Sequence, residues 1–400
     1  MPFEIPESWV LSDFSELVTL LSGRDLESND CNSNREGIPY LIGASNIVDG
    51  KINITRWITK PLVISKRGDI LISCKGTIGE VVTNVIGEIH IARQFMAIQT
   101  SPMVYADYIE LYIKSIVNNI KRNARGVIPG ISREDILHRE IALPPLEEQK
   151  RIVIEVEKWL DFIADIEAEK DELESHIKKT KSKILDLAIS GKLVPQDPNN
   201  EPAIELLKRI NPAFKPCDNS HYENIEFDIP KNWVWATIGD IFEHNTGKAL
   251  NASNPNGTML DYITTSNLYW DRFELSIIKQ MSFTESEIER CIVRKGDLLI
   301  CEGGDVGRAA IWDYDYNIMI QNHIHRLRGK VDICTRYFFY LFMHYKLHNL
   351  IGGKGVAIQG LSSRDLHNLI IPVPSLKEQY DIASSIDLYF SKLDMITAEL

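Results

Sequence analysis

This chain states most of its pattern twice, and that limits it to a duplicated-domain architecture. Ile141-Ala142-Leu143-Pro144-Pro145-Leu146-Glu147-Glu148-Gln149 returns in the second half as Ile371-Pro372-Val373-Pro374-Ser375-Leu376-Lys377-Glu378-Gln379. Arg67-Gly68-Asp69-Ile70-Leu71-Ile72-Ser73-Cys74-Lys75-Gly76-Thr77-Ile78-Gly79 also returns, beginning at Lys295-Gly296-Asp297 and ending at Gly307. Ile5-Pro6-Glu7-Ser8-Trp9-Val10 returns as Ile229-Pro230-Lys231-Asn232-Trp233-Val234. The separation widens a little from Ile5 and Ile229, through Arg67 and Lys295, to Ile141 and Ile371, which implies small insertions inside one repeated unit. The period far exceeds the roughly 20–50 residues of solenoid repeats. A chain of this kind can present two similar surfaces to one long partner.

Within each unit, short β-type runs are punctuated by glycine. Ile70-Leu71-Ile72 and Leu298-Leu299-Ile300 follow Gly-Asp turns and read as buried strands. Helices are expected over 107–121 and 337–347, each followed by a glycine-rich loop. Helix N-cap signals follow at Ser132 and Ser362. Trp9, Trp233 and Trp235 read as core anchors. Such a mixture predicts an α+β domain, present twice.

After Leu146 the pattern changes. Ile152, Val156, Trp159, Ile163, Ile166, Leu173, Ile177, Ile184 and Leu187 follow alternating steps of four and three, broken only at Lys170 and Thr180. This is the heptad stripe of a coiled-coil helix, about 65 Å long from Glu147 to Ile189 at 1.5 Å per residue. The second copy keeps the stripe at Ile382, Ile386, Tyr389, Leu393 and Ile396. Ser375 and Glu378 have the spacing of a capping box. The simplest burial for the two stripes is against each other, antiparallel. Judged by the first copy, the second helix stops half-way at Leu400. The two readings of that are a naturally short helix and a missing C-terminal piece.

The net charge is −12, from 44 basic and 56 acidic residues. Distribution matters more than the sum. Residues 51–80 carry six basic against two acidic side chains, and residues 114–140 six against three. No apolar run approaches a membrane span, and the N-terminus lacks signal-peptide character, so the expected compartment is the cytoplasm. The six cysteines show no CxxC spacing and are expected as reduced thiols.

Catalytic signatures are missing. No phosphate-binding Gly-x-x-x-x-Gly-Lys-Ser/Thr loop and no dinucleotide or methyl-donor glycine motif occurs. His323 and His325 sit two apart, and His344 and His348 sit four apart on an expected helix. Neither pair has an obvious third ligand, so no metal is expected.

The duplicated Pro-x-Leu-x-Glu-Gln and GxxG motifs, the heptad helix, and the run from Lys183 to Gln196 together resemble the specificity subunit of type I restriction–modification enzymes. The resemblance covers essentially the whole chain. It implies two target recognition domains, each reading one half of a split DNA site, with an antiparallel coiled-coil spacer fixing the gap. Residues 1–145 and 226–374 would be the recognition domains, 146–194 and 375–400 the helical spacers, and 195–225 a linker. It implies a non-catalytic subunit with no cofactor of its own. Its partners would be double-stranded DNA, two methyltransferase subunits using S-adenosylmethionine, and restriction subunits using ATP and magnesium. Base-reading candidates in the first unit are Lys75, Thr77, Arg93, Gln94 and Arg125. Their rough equivalents in the second are Gly303, Asp305, Gln321, Asn322 and Lys354. Amide and guanidinium groups match base edges, although Gln94 and Asn322 also have the bland reading of tying down their own loops. A coiled-coil scaffold with two protein-binding domains is the alternative function. A nuclease or methyltransferase in its own right is weighed against by the missing motifs.

Overall fold

The computed structural model describes residues 5–27, 30–123, 130–217, 227–250, 257–351 and 360–399. The chain divides into two compact units, residues 1–167 and 168–400.

In the first unit, strands Val81–Thr83, Ile70–Ser73, Phe95–Thr100 and Val18–Ser22 form one antiparallel sheet in that order. A second sheet runs Cys31–Asn32, Arg56–Ile58, Ile38–Leu41, Ile89–Ile91, Ile64–Ser65, with one parallel pair, Ile38–Leu41 beside Ile89–Ile91. The second unit repeats this. Ala309–Ile311, Leu298–Cys301, Ile324–Gly329 and Phe242–Thr246 form its antiparallel sheet. Lys279–Phe283, Thr258–Ile263, Ile318–Ile320 and Ile292–Val293 form its mixed one, again with a single parallel pair. The duplication in sequence is therefore a duplication of strand order.

The alternation of side chains along a strand explains the continuous apolar runs. Ile70 and Ile72 join Ile109 and Ile113 of helix Ala106–Asn123, whereas Leu71 joins Ile89 and Ile91 of the other sheet. Leu298 and Ile300 likewise meet helix Thr335–Leu347, and Leu299 and Cys301 meet the mixed sheet. Thr335–Leu347 is buried almost all round, which accounts for its aromatic composition.

Each domain opens and closes on neighbouring strands. Val10–Asp13 pairs with Glu140–Leu143, and Val234–Thr237 with Ile370–Val373. Here the repeated motifs acquire a physical reason. Trp9 donates its indole N–H to Glu148 at 3.2 Å, and Trp233 donates to Glu378 at 2.9 Å. Gln149 donates to Pro144 O and accepts from the Tyr105 amide. Gln379 donates to Pro374 O and accepts from the Cys334 amide. The Pro-x-Leu-x-Glu-Gln motif thus locks a helix start to the domain before it. Ser375 caps its helix by accepting from the Glu378 amide, but the expected reciprocal half of the capping box is not made. The Glu378 carboxylate goes to Trp233 and Gln196 instead.

The long helix spans Leu146–Ile189, 44 residues, and the C-terminal helix Leu376–Ala398, 23 residues. The expected seam is buried only in part. Ile152 packs beside the first unit's core, but Val156, Trp159, Ile163, Ile166 and Leu173 are exposed, Ile163 and Ile166 each by 49%. Burial begins at Ile177. Ile382 and Ile386 are fully buried, yet in the second unit's own core, while Tyr389 and Ile396 are exposed and Leu393 is half-buried. The face turned to the long helix is displaced by one position. Lys181 pairs with Asp394 and lies over the Phe390 ring. Ile177 and Leu185 of the long helix and Phe390 and Thr397 of the C-terminal helix line one cavity beside that pair. The heptad pattern misleads because the C-terminal helix spends its first turns packing on the domain that precedes it.

The stretch expected as linker holds a helix, Ala203–Ile210, whose Leu206 and Leu207 are buried in the second unit's core. No helix among the described residues is long and apolar enough to cross a membrane.

Candidate nucleic-acid interface

Three segments meet at one edge of each recognition unit. The GxxG turn is the first. In the first unit, Gly79 N–H donates to Ser73 O, and Ser73 Oγ bridges Thr77 O and the Glu80 amide, leaving Lys75 and Thr77 exposed at the tip. Gly76 and Gly79 have φ of +76° and +81°, and Gly304 and Gly307 repeat them at +72° and +82°. A side chain is disfavoured in that conformation. A Cβ on Gly79 would also lie 2.1 Å from Lys121 Cε.

The second segment is the turn entering Phe95–Thr100. Cys74 N–H donates to Gln94 O at 2.7 Å, holding Arg93 and Gln94 beside the GxxG turn. Arg93 is exposed and pairs with Asp25 at 2.7 Å. The Gln94 amide rests close to Gly43 and Gly76, where a Cβ on Gly43 would lie 2.6 Å from its Oε1. Its loop-bracing reading therefore has a contact behind it.

The third segment returns from the glycine-rich loop. Ile131 N–H donates to Cys74 O, and Lys75 bridges Gly130. Arg125 and Lys354, named as candidates in these loops, lie outside the described residues.

The second unit rebuilds the arrangement with one change of register. Glu302 N–H donates to His323 O at 2.9 Å, and Leu361 N–H to Glu302 O at 2.8 Å. Phe95 stands opposite Ser73, and Ile324 opposite Cys301. The equivalent of Gln94 is therefore His323, not Asn322, and the equivalent of Arg93 is Asn322, not Gln321. One additional residue between Gly307 and Ile318 causes the slip. Aligning Ile89-His90-Ile91 with Ile318-Met319-Ile320 is the sequence signal that reveals it. His323 is more than half exposed and lies 3.4 Å from Glu302. Gln321 and Asn322 are half-buried, with the Asn322 amide on Lys248 O. Gly303 lies at the tip, and Asp305 is paired with Lys346 at 2.8 Å.

Beneath the second edge lies an imidazole chain peculiar to that unit. His244 Nε2 is 3.0 Å from His325 Nδ1, and His325 Nε2 is 2.8 Å from Leu361 O. Burial, then the neighbouring His325 and His367, pushes His244 down to about 4. Met96 takes the place of His325 in the first unit. Burial raises the Cys74 and Cys301 thiols, which keeps both in the unreactive form.

The arrangement offers exposed donors on short rigid turns, with cationic and amide groups side by side. Such groups suit backbone anchoring and base-edge contacts. The model of the type I restriction modification DNA specificity domain matches residues 6–175 and again 230–400. The chain belongs to this family. The specificity subunit of the type I restriction enzyme EcoBI from Escherichia coli is 20% identical, over 99% of this chain and 82% of its own. That of EcoAI, also from Escherichia coli, is 22% identical over 96% and 78%. In structure the specificity-family fold is shared with the HsdS subunit from Thermoanaerobacter tengcongensis, at a TM-score of 0.61, 16% identity, and coverage of 100% and 92%. A chain from work on assembly and conformational transition of the type I R-M system gives 0.70 at 17% identity, covering 100% and 94%.

Proposed function

We propose that this specificity-family chain is the DNA-recognition subunit of a type I restriction–modification complex, acting in the cytoplasm. Each unit reads one half of a split site, and the helices hold the halves at a set gap. The observation that carries this reading is that both units repeat the same three-segment edge while its side chains differ. Lys75, Thr77, Arg93 and Gln94 stand where the second unit has Gly303, Asp305, Asn322 and His323. The same scaffold with different donors and acceptors suits an asymmetric bipartite target. The partners are two methyltransferase subunits using S-adenosylmethionine and restriction subunits using ATP and magnesium. The net charge of −12 fits partners that supply much of the phosphate contact.

The test is methylome sequencing of cells that carry the methyltransferase partner, with and without this chain. A split adenine-methylated motif that depends on the chain is the expected result. Assembly with protein partners but no sequence-dependent methylation would favour a scaffold instead.

A further inference from the structure

His344 and His348 stand one turn apart at the end of helix Thr335–Leu347, with His348 at its cap. In sequence the pair has no third ligand, but the fold supplies one. Asp186, in the last turns of the long helix, places Oδ1 3.2 Å from His344 Nε2 and 2.7 Å from His348 Nε2. The two rings are 4.5 Å apart, and one ligand atom from each residue lies within 4.8 Å of the others. All three belong to the second unit.

The surroundings suit an ion more than a plain hydrogen-bonded cluster. His344 is buried, with the Phe227 ring packed edge-to-face against it. Among the described residues its Nδ1 has no hydrogen-bond partner, and Nε2 is the nitrogen that faces the carboxylate. Asp186 and His348 remain partly open to solvent, which leaves an approach path. Two imidazole nitrogens and one carboxylate oxygen are a donor set for zinc-class ions, not for magnesium or calcium, which prefer oxygen. Metal–ligand bonds of roughly 2.0–2.2 Å set tetrahedral ligands roughly 3.3 Å apart. The observed separations reach that with small side-chain rotations.

We propose that Asp186, His344 and His348 bind a zinc-class divalent cation, with water in the open positions, and that the ion clamps the end of the long helix to the aromatic helix Thr335–Leu347. This site stands independently of whether the chain reads DNA.

The experiment is calorimetric titration of the metal-stripped full chain with zinc(II), with cobalt(II) absorption as a second probe. One ion per chain is expected, together with a rise in melting temperature on adding zinc. His348→Ala and Asp186→Asn should each weaken binding by more than the roughly 10–100-fold typical of losing an outer-shell partner, and should abolish the rise. His348 is 42% exposed, so its variant is expected to keep the fold, and comparing its melting with and without zinc separates ligation from folding. His344→Ala removes a buried ring and is the secondary variant. Absence of stoichiometric binding overturns the proposal. So does equal binding by His348→Ala and Asp186→Asn, or displacement of zinc by equimolar magnesium.

Discussion

Glu378 accepts the indole N–H of Trp233 at 2.9 Å inside the joint where the C-terminal helix meets the second recognition domain. Burial raises the carboxyl's pKa, with the hydrogen bonds from Trp233 and Gln196 opposing it. The charge is therefore a cost, and the acceptor is the asset. Glu378→Gln removes the charge and keeps one of the two acceptors that Trp233 and Gln196 use, so it should destabilise less than Glu378→Ala at neutral pH. Glu378→Ala strands a buried donor and should cost about 1–3 kcal/mol. Denaturant melts of both variants check this. The sign also follows in pH. Because the folded pKa is raised, this group's contribution is most favourable at acid pH and is lost as pH rises through the folded value, a slope absent from Glu378→Gln.

His244 supplies the opposite slope. Its folded pKa is pushed down to about 4, below the ordinary 6.5. The unfolded chain then binds more protons between those values, so stability is present above about pH 6.5 and falls as pH drops towards 4. His244→Asn should flatten that part of the stability–pH curve. Melting temperatures across pH 4–7 are the measurement.

The exposed stripe on the long helix separates folding from assembly. Ile163→Asp with Ile166→Asp should leave the melting of the isolated chain within about 0.5 kcal/mol of wild type, because both side chains are half in water. Ile386→Ala should cost about 2–5 kcal/mol, because that side chain is fully buried. Equal destabilisation by the two changes would contradict the exposure pattern.

Two glycines with the same sign of φ should respond differently. Gly68→Ala adds a methyl into open space and costs only left-handed strain, about 1–2 kcal/mol. Gly79→Ala adds the same strain and also meets Val117 Cγ2 at 2.8 Å, with overpacking of about 1–3 kcal/mol in addition. Thermal melts of the pair should rank them in that order.

Recognition should be altered one half at a time. Gln94→Ala is expected to change the preferred bases of one half-site and His323→Ala those of the other, as read by selection from random DNA in the assembled complex. A shift at both halves from either substitution would count against two independent readers.

The duplicated architecture is legible in sequence because turns, caps and buried strands repeat with fixed local chemistry. Ser132 and Ser362 cap their helices as their sequence suggests. The heptads are legible as helix but not as partner, since periodicity marks an apolar face without saying what covers it. Ile382 and Ile386 are buried by a domain, not by a second helix. His323 escapes a sequence reading because one inserted residue shifts every equivalence after it. Asp186 escapes because 162 residues separate it from His348. Helix Ala203–Ile210 is hidden by the proline-rich run before it, although Ala203, Leu206, Leu207 and Ile210 already carry helical spacing.

The opening and closing strands of each recognition domain lie side by side, Val10 opposite Leu143 and Val234 opposite Val373. A domain whose two ends meet in this way can be exchanged whole, like a cassette, without displacing the chain on either side. The tryptophan–glutamate bonds lie outside the exchanged segment, and the glutamines meet it through the backbone amides of residues 105 and 334, which any side chain there other than proline's leaves in place. Recombination between two such genes inside those strands would therefore yield a folded subunit with one old and one new specificity. A new DNA target would then need no new protein surface, only a new combination of existing ones.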